Sequence, residues 1–250
     1  MKRITVPPGA LSNATLTLDA ERSHYLTRVL RMQVGSQLSL VDGAGMMGRG
    51  WIETMATHRV ELRIIERCPA EPGSGSDLTL FQAVGKADKM DVVVRFAGEL
   101  GVRRLVPFLS KRTVARREKS VGRWERIAED ALRITGRPYR MMVSPVIEWP
   151  GVLKEAGGDL RLAAVPPDVE GFSANSCTSV GHLMRTPPPR RVDLLVGPEG
   201  GLDASEICEL VASGWRCLFL GPYTLRTEVA GPAAVAALQL AWGEADVGSA

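Results

Sequence analysis

Apolar and polar residues alternate with a period of two at Thr15–Leu18, Gln37–Val41 and Val60–Ile65, so residues 1–68 are predicted to form mostly short, half-buried strands. One helix interrupts them, from Ala20 to Arg31, with Leu26, Val29 and Leu30 on one side and Arg22, His24, Arg28 and Arg31 elsewhere. Several short strands with a single helix suggest a small β-barrel. Within it, GAGMMG at Gly43–Gly48 satisfies the GxGxxG fingerprint of dinucleotide-binding folds. That fingerprint requires a helix next, yet Arg49, Trp51 and Ile52 resume a strand pattern, and no acidic residue follows a second strand at the matching distance. A hairpin turn is the expected role.

The Pro, Gly and Ser residues of PAEPGSGSD at Pro69–Asp77 cannot build a packed element, which predicts a linker between a domain over 1–72 and a second over 73–250. Beyond it, Leu78–Val84 reads as a strand, Lys89–Leu100 as a helix stopped by Gly101, and Arg104–Phe108 as a second strand, a crossover unit. A basic helix follows over Arg123–Thr135 and ends at Gly136 and Pro138. Residues 146–191 carry no clear period, and TPPPRR at Thr186–Arg191 suits a rigid surface connection.

The pattern sharpens again at Val192–Val196, an apolar run that stops at Gly197, Pro198, Glu199, Gly200 and Gly201, a buried strand entering a loop with almost no side chains. Asp203, three residues before Glu206, opens a helix carrying Ile207, Leu210 and Val211 as far as Gly214. Trp215–Leu220 is the next strand, closed by Gly221 and Pro222. Strand, helix and strand imply a parallel crossover, so both Gly-rich turns should emerge at the C-terminal sheet edge, where open α/β folds bind ligands.

Length allows two domains, each with a core. No apolar run reaches the roughly 18 residues of a membrane span, and the N-terminus lacks a secretory h-region, so a cytoplasmic protein is expected. Cys68, Cys177, Cys208 and Cys217 lack zinc-site spacing and read as reduced thiols, with Cys208 and Cys217 packed in the core. With only His24, His58 and His182 present, neither a hydrolase triad nor a metal cluster can be assembled. Net charge is only +3, but residues 103–140 hold 12 Lys/Arg against 4 Asp/Glu, a local +8. That one-signed excess is either a solvated face or a phosphate-binding surface, and Arg112, Arg123 and Arg137 are the RNA-contact candidates there.

GPEGGL at Gly197–Leu202, LG at Leu220–Gly221, and LRTE at Leu225–Glu228 before an Ala-rich helix resemble the SPOUT superfamily of knotted RNA methyltransferases. Within it the chain is most similar to the bacterial enzymes that methylate N3 of a uridine in small-subunit (16S) ribosomal RNA. HYLTRVLRM at His24–Met32, KADKMD at Lys86–Asp91, ELGV at Glu99–Val102 and RW at Arg123–Trp124 carry the resemblance over nearly the whole chain. It implies an α/β fold (α+β overall): a trefoil-knotted C-terminal methyltransferase domain behind a smaller, PUA-like, RNA-binding β-barrel. It also implies S-adenosylmethionine as methyl donor, small-subunit ribosomal RNA or the ribosomal subunit as substrate, and a homodimer in which each active site is completed by the partner. By motif match, Leu195, Gly197, Gly200, Gly201, Leu220, Gly221, Leu225 and Arg226 hold the cofactor, mostly through backbone groups; the plain alternative is that the glycines only make turns. Arg28 and Arg31, from the HYLTRVLRM match, join the RNA-contact candidates.

Uridine N3 keeps its proton at neutral pH, so methylation there requires a base and stabilisation of developing negative charge. Glu228 is the candidate base and Arg226 the candidate for the base oxygens or the nucleotide. Glu228 as an acid that merely favours a helix N-terminus remains equally open. Glu199 either orders its loop or faces the sulfonium, and Thr227 is a candidate helix cap. Two departures from the family stand out. Ile134 and Thr135 replace a Gln and small polar residue before Gly136–Arg137, and Val229–Pro232 replace a Thr-rich stretch. Because Pro is tolerated only near a helix start, the last helix is expected to begin about Gly231. The rival readings are a SPOUT relative acting on a ribose hydroxyl or another base, and a noncatalytic RNA-binding assembly factor.

Overall fold

The computed structural model describes residues 2–56, 58–70, 76–86, 88–113, 121–166, 169, 171–172 and 177–242; most of the expected linker and residues 114–120 of the basic stretch lie outside them. The chain divides into two compact units, Met1–Pro72 with Leu132–Arg140, and Gly73–Ala131 with Met141–Ala250.

In the first unit, β1 (Lys2–Thr5), β2 (Thr15–Thr17), β3 (Gln37–Val41), β4 (Met46–Ala56) and β5 (Arg59–Pro69) form one sheet in the order β1-β3-β4-β5-β2. Their alternate residues, including Leu38, Leu40, Ile52, Val60 and Leu62, meet in one core. GAGMMG lies in the β3–β4 hairpin, as the strand pattern predicts. The Asp42 carboxylate accepts from the Ala44 and Met46 amides at 2.8 and 2.9 Å and fixes the turn.

The helix of this unit differs from its sequence reading. α1 (Ala20–His24), capped by Asp19, widens over Tyr25–Val29 into a π-turn, with Leu30 N–H donating to Tyr25 O at 2.9 Å. The extra residue in that turn keeps Leu26 buried but sends Val29 to solvent at 60% exposure. Ser23, unremarked in the sequence, is buried and accepts from Val60 N–H at 3.1 Å, tying α1 to β5.

The second unit runs β6 (Asp77–Ala83), α2 (Lys89–Leu100), β7 (Arg104–Leu109), α3 (Val121–Thr135, whose last residues from Leu132 group with the first unit), β8 (Met142–Val143), β9 (Ile147–Glu148), α4 (Trp149–Glu155), β10 (Leu160–Ala164), β11 (Cys177–Ser179), α5 (Val180–Leu183), β12 (Arg191–Val196), α6 (Ala204–Ala212), β13 (Arg216–Phe219) and α7 (Thr227–Trp242). The sheet order is β11-β13-β10-β12-β6-β7-β8, with β9 also on β7, and every described pairing in it is parallel. Both faces are covered, which is why β12 is an unbroken apolar run. Leu194 and Val196 join the α2 and α7 side chains on one face, while Leu195 joins Trp149, Ile207 and Trp215 on the other.

β12 and β13 are parallel strands of one sheet, as the crossover reading expects, with β10, which the sequence did not mark, between them. That strand, LRLAA, is too short and too interrupted by Arg161 to stand out in an aperiodic stretch. α7 begins at Thr227 rather than Gly231: Arg226 O accepts from Val229 N–H at 2.9 Å and Ala230 N–H at 2.8 Å, closing a first turn, and Pro232 sits inside the helix. Proline there omits a single N–H···O bond, to Glu228 O, which tertiary packing of Ala230, Ala234, Val235 and Leu238 outweighs. Cys208 is exposed, not core, because it lies on the outer side of α6; Cys217 is buried, and burial together with a hydrogen bond that its thiol donates to Cys177 pushes it up to about 12. No helix among the described residues is long and apolar enough to cross a membrane.

Candidate active site

β10, β12 and β13 end level with one another, Ala164 standing opposite both Val196 and Leu218. Beyond their C-terminal ends the chain turns through Val165–Pro166, Gly197–Leu202 and Leu220–Thr227, enclosing a cavity of about 520 Å³. That volume is the size of small-molecule and cofactor sites. Of the sequence-predicted residues, Gly197, Gly201, Leu220, Gly221, Leu225 and Arg226 line it. Leu195 lies in the core with no exposure, so it supports the site without lining it. Gly200 also lies outside the lining; its carbonyl accepts from Arg112 at 3.3 Å. Gly221 has φ 132°, a conformation that side chains disfavour, so the LG turn needs its glycine.

The GPEGG loop is fastened from both sides. At its far end Asp203 and Glu206 make the expected capping box, Glu206 Oε2 accepting from Asp203 N–H at 2.8 Å. Glu206 Oε1 also accepts from Lys111 N–H at 2.9 Å, and Arg112 reaches Asp203 at 3.6 Å. At its near end Thr227 does not cap α7; its hydroxyl donates to Gly197 O at 2.6 Å and accepts from Gln82 Nε2 at 3.2 Å. Gln82 is 1% exposed and its Oε1 has no hydrogen-bond partner among the described residues, lying instead toward Gly231. A buried chain of Gln82, Thr227 and Gly197 thus joins β6, α7 and the loop after β12.

Charge gathers at the same edge. The Lys89 ammonium lies 3.1 Å from Glu199 Oε1 and 3.4 Å from Glu228 Oε2. Glu199 Oε1 also accepts from Lys86 N–H at 3.3 Å. Burial pushes the Glu199 carboxyl up, but backbone hydrogen bonds and Lys89 outweigh it and leave the group below its ordinary range. Glu228 Oε2 is removed from solvent and, among the described residues, has the Lys89 ion pair but no hydrogen bond of ordinary geometry. The cavity lining thus holds the Glu199 carboxylate, two cations at Lys89 and Arg226, and loop backbone groups, while Glu228 stands outside the lining and meets it through Lys89.

The five arginines proposed for RNA fall differently. Arg28 and Arg31 are exposed on and just after the π-turn, with Arg31 at φ 49°, and Arg137 belongs to the same unit. In the second unit, Arg123 pairs with Asp91, and Arg112 is committed to the GPEGG loop. Ile134, the residue in place of a polar one, is 73% exposed near the end of α3. Lys89 and Gln82 are the site residues that sequence reasoning missed; KADKMD marked the first as part of a motif without a role, and nothing marked the second.

Comparison with known proteins gives a consistent likeness. Residues 72–239 match the RNA methyltransferase domain family, and residues 18–65 match the RNA methyltransferase PUA domain family. The chain is 28% identical over 235 residues to ribosomal RNA small subunit methyltransferase E of Synechocystis sp., covering 94% of this chain and 76% of that one. It is 26% identical over 237 residues to the protein of the same name from Mycobacterium bovis, covering 91% and 87%. The crystal structure of ribosomal RNA small subunit methyltransferase E from Neisseria gonorrhoeae bound to S-adenosyl methionine superposes with a TM-score of 0.79 at 28% identity, covering 97% of this chain and 98% of that one.

Proposed function

This chain belongs to the RNA methyltransferase family, with an RNA methyltransferase PUA domain before the catalytic one, and from that premise we propose that it methylates N3 of a uridine in small-subunit ribosomal RNA. The observation that carries the reading is the cavity where three parallel strands end, walled by backbone-rich loops with Lys89 and Arg226 in its lining, and with Glu228 paired to that Lys89 just behind the lining. S-adenosylmethionine, bound in relatives of this fold, supplies an electrophilic methyl group on a sulfonium. Gly197, Gly201, Leu220, Gly221 and Leu225 hold it, largely through backbone N–H and C=O groups. Glu228 takes the N3 proton: the N–H bond breaks as an O–H bond forms, and the pair left on N3 makes the new N–C bond while the S–C pair returns to sulfur. Arg226 stabilises the negative charge that develops on the base oxygens. Strand order, with β10 between β12 and β13, supports the trefoil knot that the family resemblance implies.

Calorimetry with S-adenosylmethionine and with NAD tests the cofactor reading. Saturable binding of the first alone is expected, since GAGMMG is a hairpin turn; tight NAD binding without S-adenosylmethionine binding would end it.

RNA contacts are assigned to Arg28, Arg31 and Arg137 on the first unit and to Arg112 and Arg123 on the second, in the cytoplasm where ribosomal RNA is modified. Affinity for RNA should fall steeply with salt, with log K changing by about −0.7 to −0.9 per phosphate neutralised. Removing charge at Arg28 and Arg31 should flatten that slope more than removing it at Arg112, whose guanidinium already serves Gly200 and Asp203. An equal change at all three would refute this ranking. The reading includes a homodimer, supported by the exposed Phe219, Tyr223, Val229 and Leu240 along β13 to α7, which a second copy would cover. Sedimentation as a 27.0 kDa species at micromolar concentration would contradict the dimer.

A further inference from the structure

Lys89 stands at the N-terminal end of α2, far in sequence from both carboxylates it meets. Its two partners are not equivalent. Glu199 is already fixed, because its Oε1 also accepts the Lys86 amide, whereas Glu228 Oε2 is out of solvent and, among the described residues, is paired with the ammonium alone. The side chains are 32%, 30% and 17% exposed for Lys89, Glu199 and Glu228, so the cluster is only partly reached by water. A carboxylate oxygen shielded from water in this way relies on a neighbouring group for its partner. Besides Lys89 and Glu199, the charged groups lining the cavity among the described residues are Arg112 and Arg226, and Arg112 is spent on Gly200 and Asp203.

We propose that Lys89 is the positioning residue of the methyl-transfer reaction: braced by Glu199, its ammonium holds Oε2 of Glu228 and leaves the other carboxylate oxygen to receive the uridine N3 proton. The proposal rests on Glu228 being the base. Hydrogen bonding to Glu199, with a smaller push from the charge of Glu228, holds the Lys89 ammonium above its ordinary range against partial burial, so it stays charged throughout the working pH range. When Glu228 takes the proton it becomes neutral and releases its claim on Lys89, which Glu199 then retains alone. The cluster passes from one net negative charge to none as the proton arrives. Proton return to water resets it.

Removing the ammonium leaves Glu228 Oε2 without the cation that orients it. The test is single-turnover methylation of small-subunit ribosomal RNA, at saturating S-adenosylmethionine, for the full chain and its Lys89→Met, Lys89→Gln, Lys89→Arg and Glu228→Gln variants. In Lys89→Met and Lys89→Gln the rate should fall by about tenfold or more while RNA and S-adenosylmethionine affinities stay nearly unchanged. Lys89→Arg should restore most of the original rate, and adding Lys89→Gln to Glu228→Gln should cost little further, because the two side chains act as a unit. A rate within a few-fold of the original in both neutral variants, or a loss confined to RNA affinity, would overturn the proposal. The two readings fail separately: a fast Glu228→Gln variant removes the base itself, whereas an inactive Glu228→Gln with a near-normal rate in Lys89→Gln removes only the role of Lys89. Retained S-adenosylmethionine binding by each variant establishes that the site is still folded.

Discussion

Glu228→Gln is expected to lower single-turnover methylation by about 10² to 10⁴ while leaving affinity for S-adenosylmethionine nearly unchanged. The amide keeps the shape of the carboxylate but cannot accept the uridine proton. It also loses the charge that Lys89 approaches at 3.4 Å. Glu228 lies in the first turn of α7, where a carboxylate favours the helix dipole by roughly 0.3 to 1 kcal/mol. A purely structural role therefore predicts a small loss of stability and a rate within a few-fold of the original, so the two readings differ by orders of magnitude. Raised pH should partly rescue Glu228→Gln, because bulk hydroxide can then remove the N3 proton. A near-normal single-turnover rate for this variant would rule out the base role.

Gly231→Val is expected to cost about 1 to 3 kcal/mol of stability and to weaken S-adenosylmethionine binding, through a contact just behind the cavity lining. A Cβ at Gly231 would come within 2.8 Å of Gln82 Oε1. The far end of a glutamine can usually move aside, but Gln82 is buried and its amide donates to Thr227 Oγ1 and to Ala83 O. Moving it disturbs the Thr227–Gly197 bond that fixes the GPEGG loop. For Gly231→Ala the clash competes with a helix-propensity gain of about 1 kcal/mol, so the net change is small. Valine adds γ-carbons and loses that gain, and overpacking decides the sign. Thermal unfolding and calorimetry read the two effects. If the loss arises at Gln82, then Gln82→Ala should make Gly231→Val less damaging than it is alone, a coupling between touching residues. Strict additivity of the pair would refute the connection.

Much of this architecture is written locally in the chain. α2 occupies Lys89–Leu100 as its period and the stop at Gly101 predict, and Asp203 with Glu206 forms the capping box their spacing announces. The two Gly-rich turns were readable for the same reason: a buried strand running into small residues leaves few alternatives. What the sequence hid is set by tertiary structure. The insertion of β10 between β12 and β13 depends on five residues with no period of their own. The π-turn after His24 is a one-residue excess in a turn, invisible to a hydrophobic pattern that α-helical spacing fits about as well. α7 starts early because Arg226 O and the packing of its Ala-rich face hold a turn that proline propensity alone would forbid. At the site, Gln82 meets Thr227 across 145 residues of sequence, and Lys89 meets Glu199 and Glu228 from a different helix and loop. Only the fold brings those side chains together.

The account turns on one chemical product. Small-subunit ribosomal RNA incubated with the full chain and S-adenosylmethionine deuterated at the methyl group, then digested to nucleosides and analysed by mass spectrometry, should yield labelled 3-methyluridine, and Glu228→Gln should abolish most of it. Label on a ribose hydroxyl or on a base other than uridine would contradict the proposed chemistry at Glu228, and absence of label from RNA by a chain that binds both ligands would contradict catalysis itself.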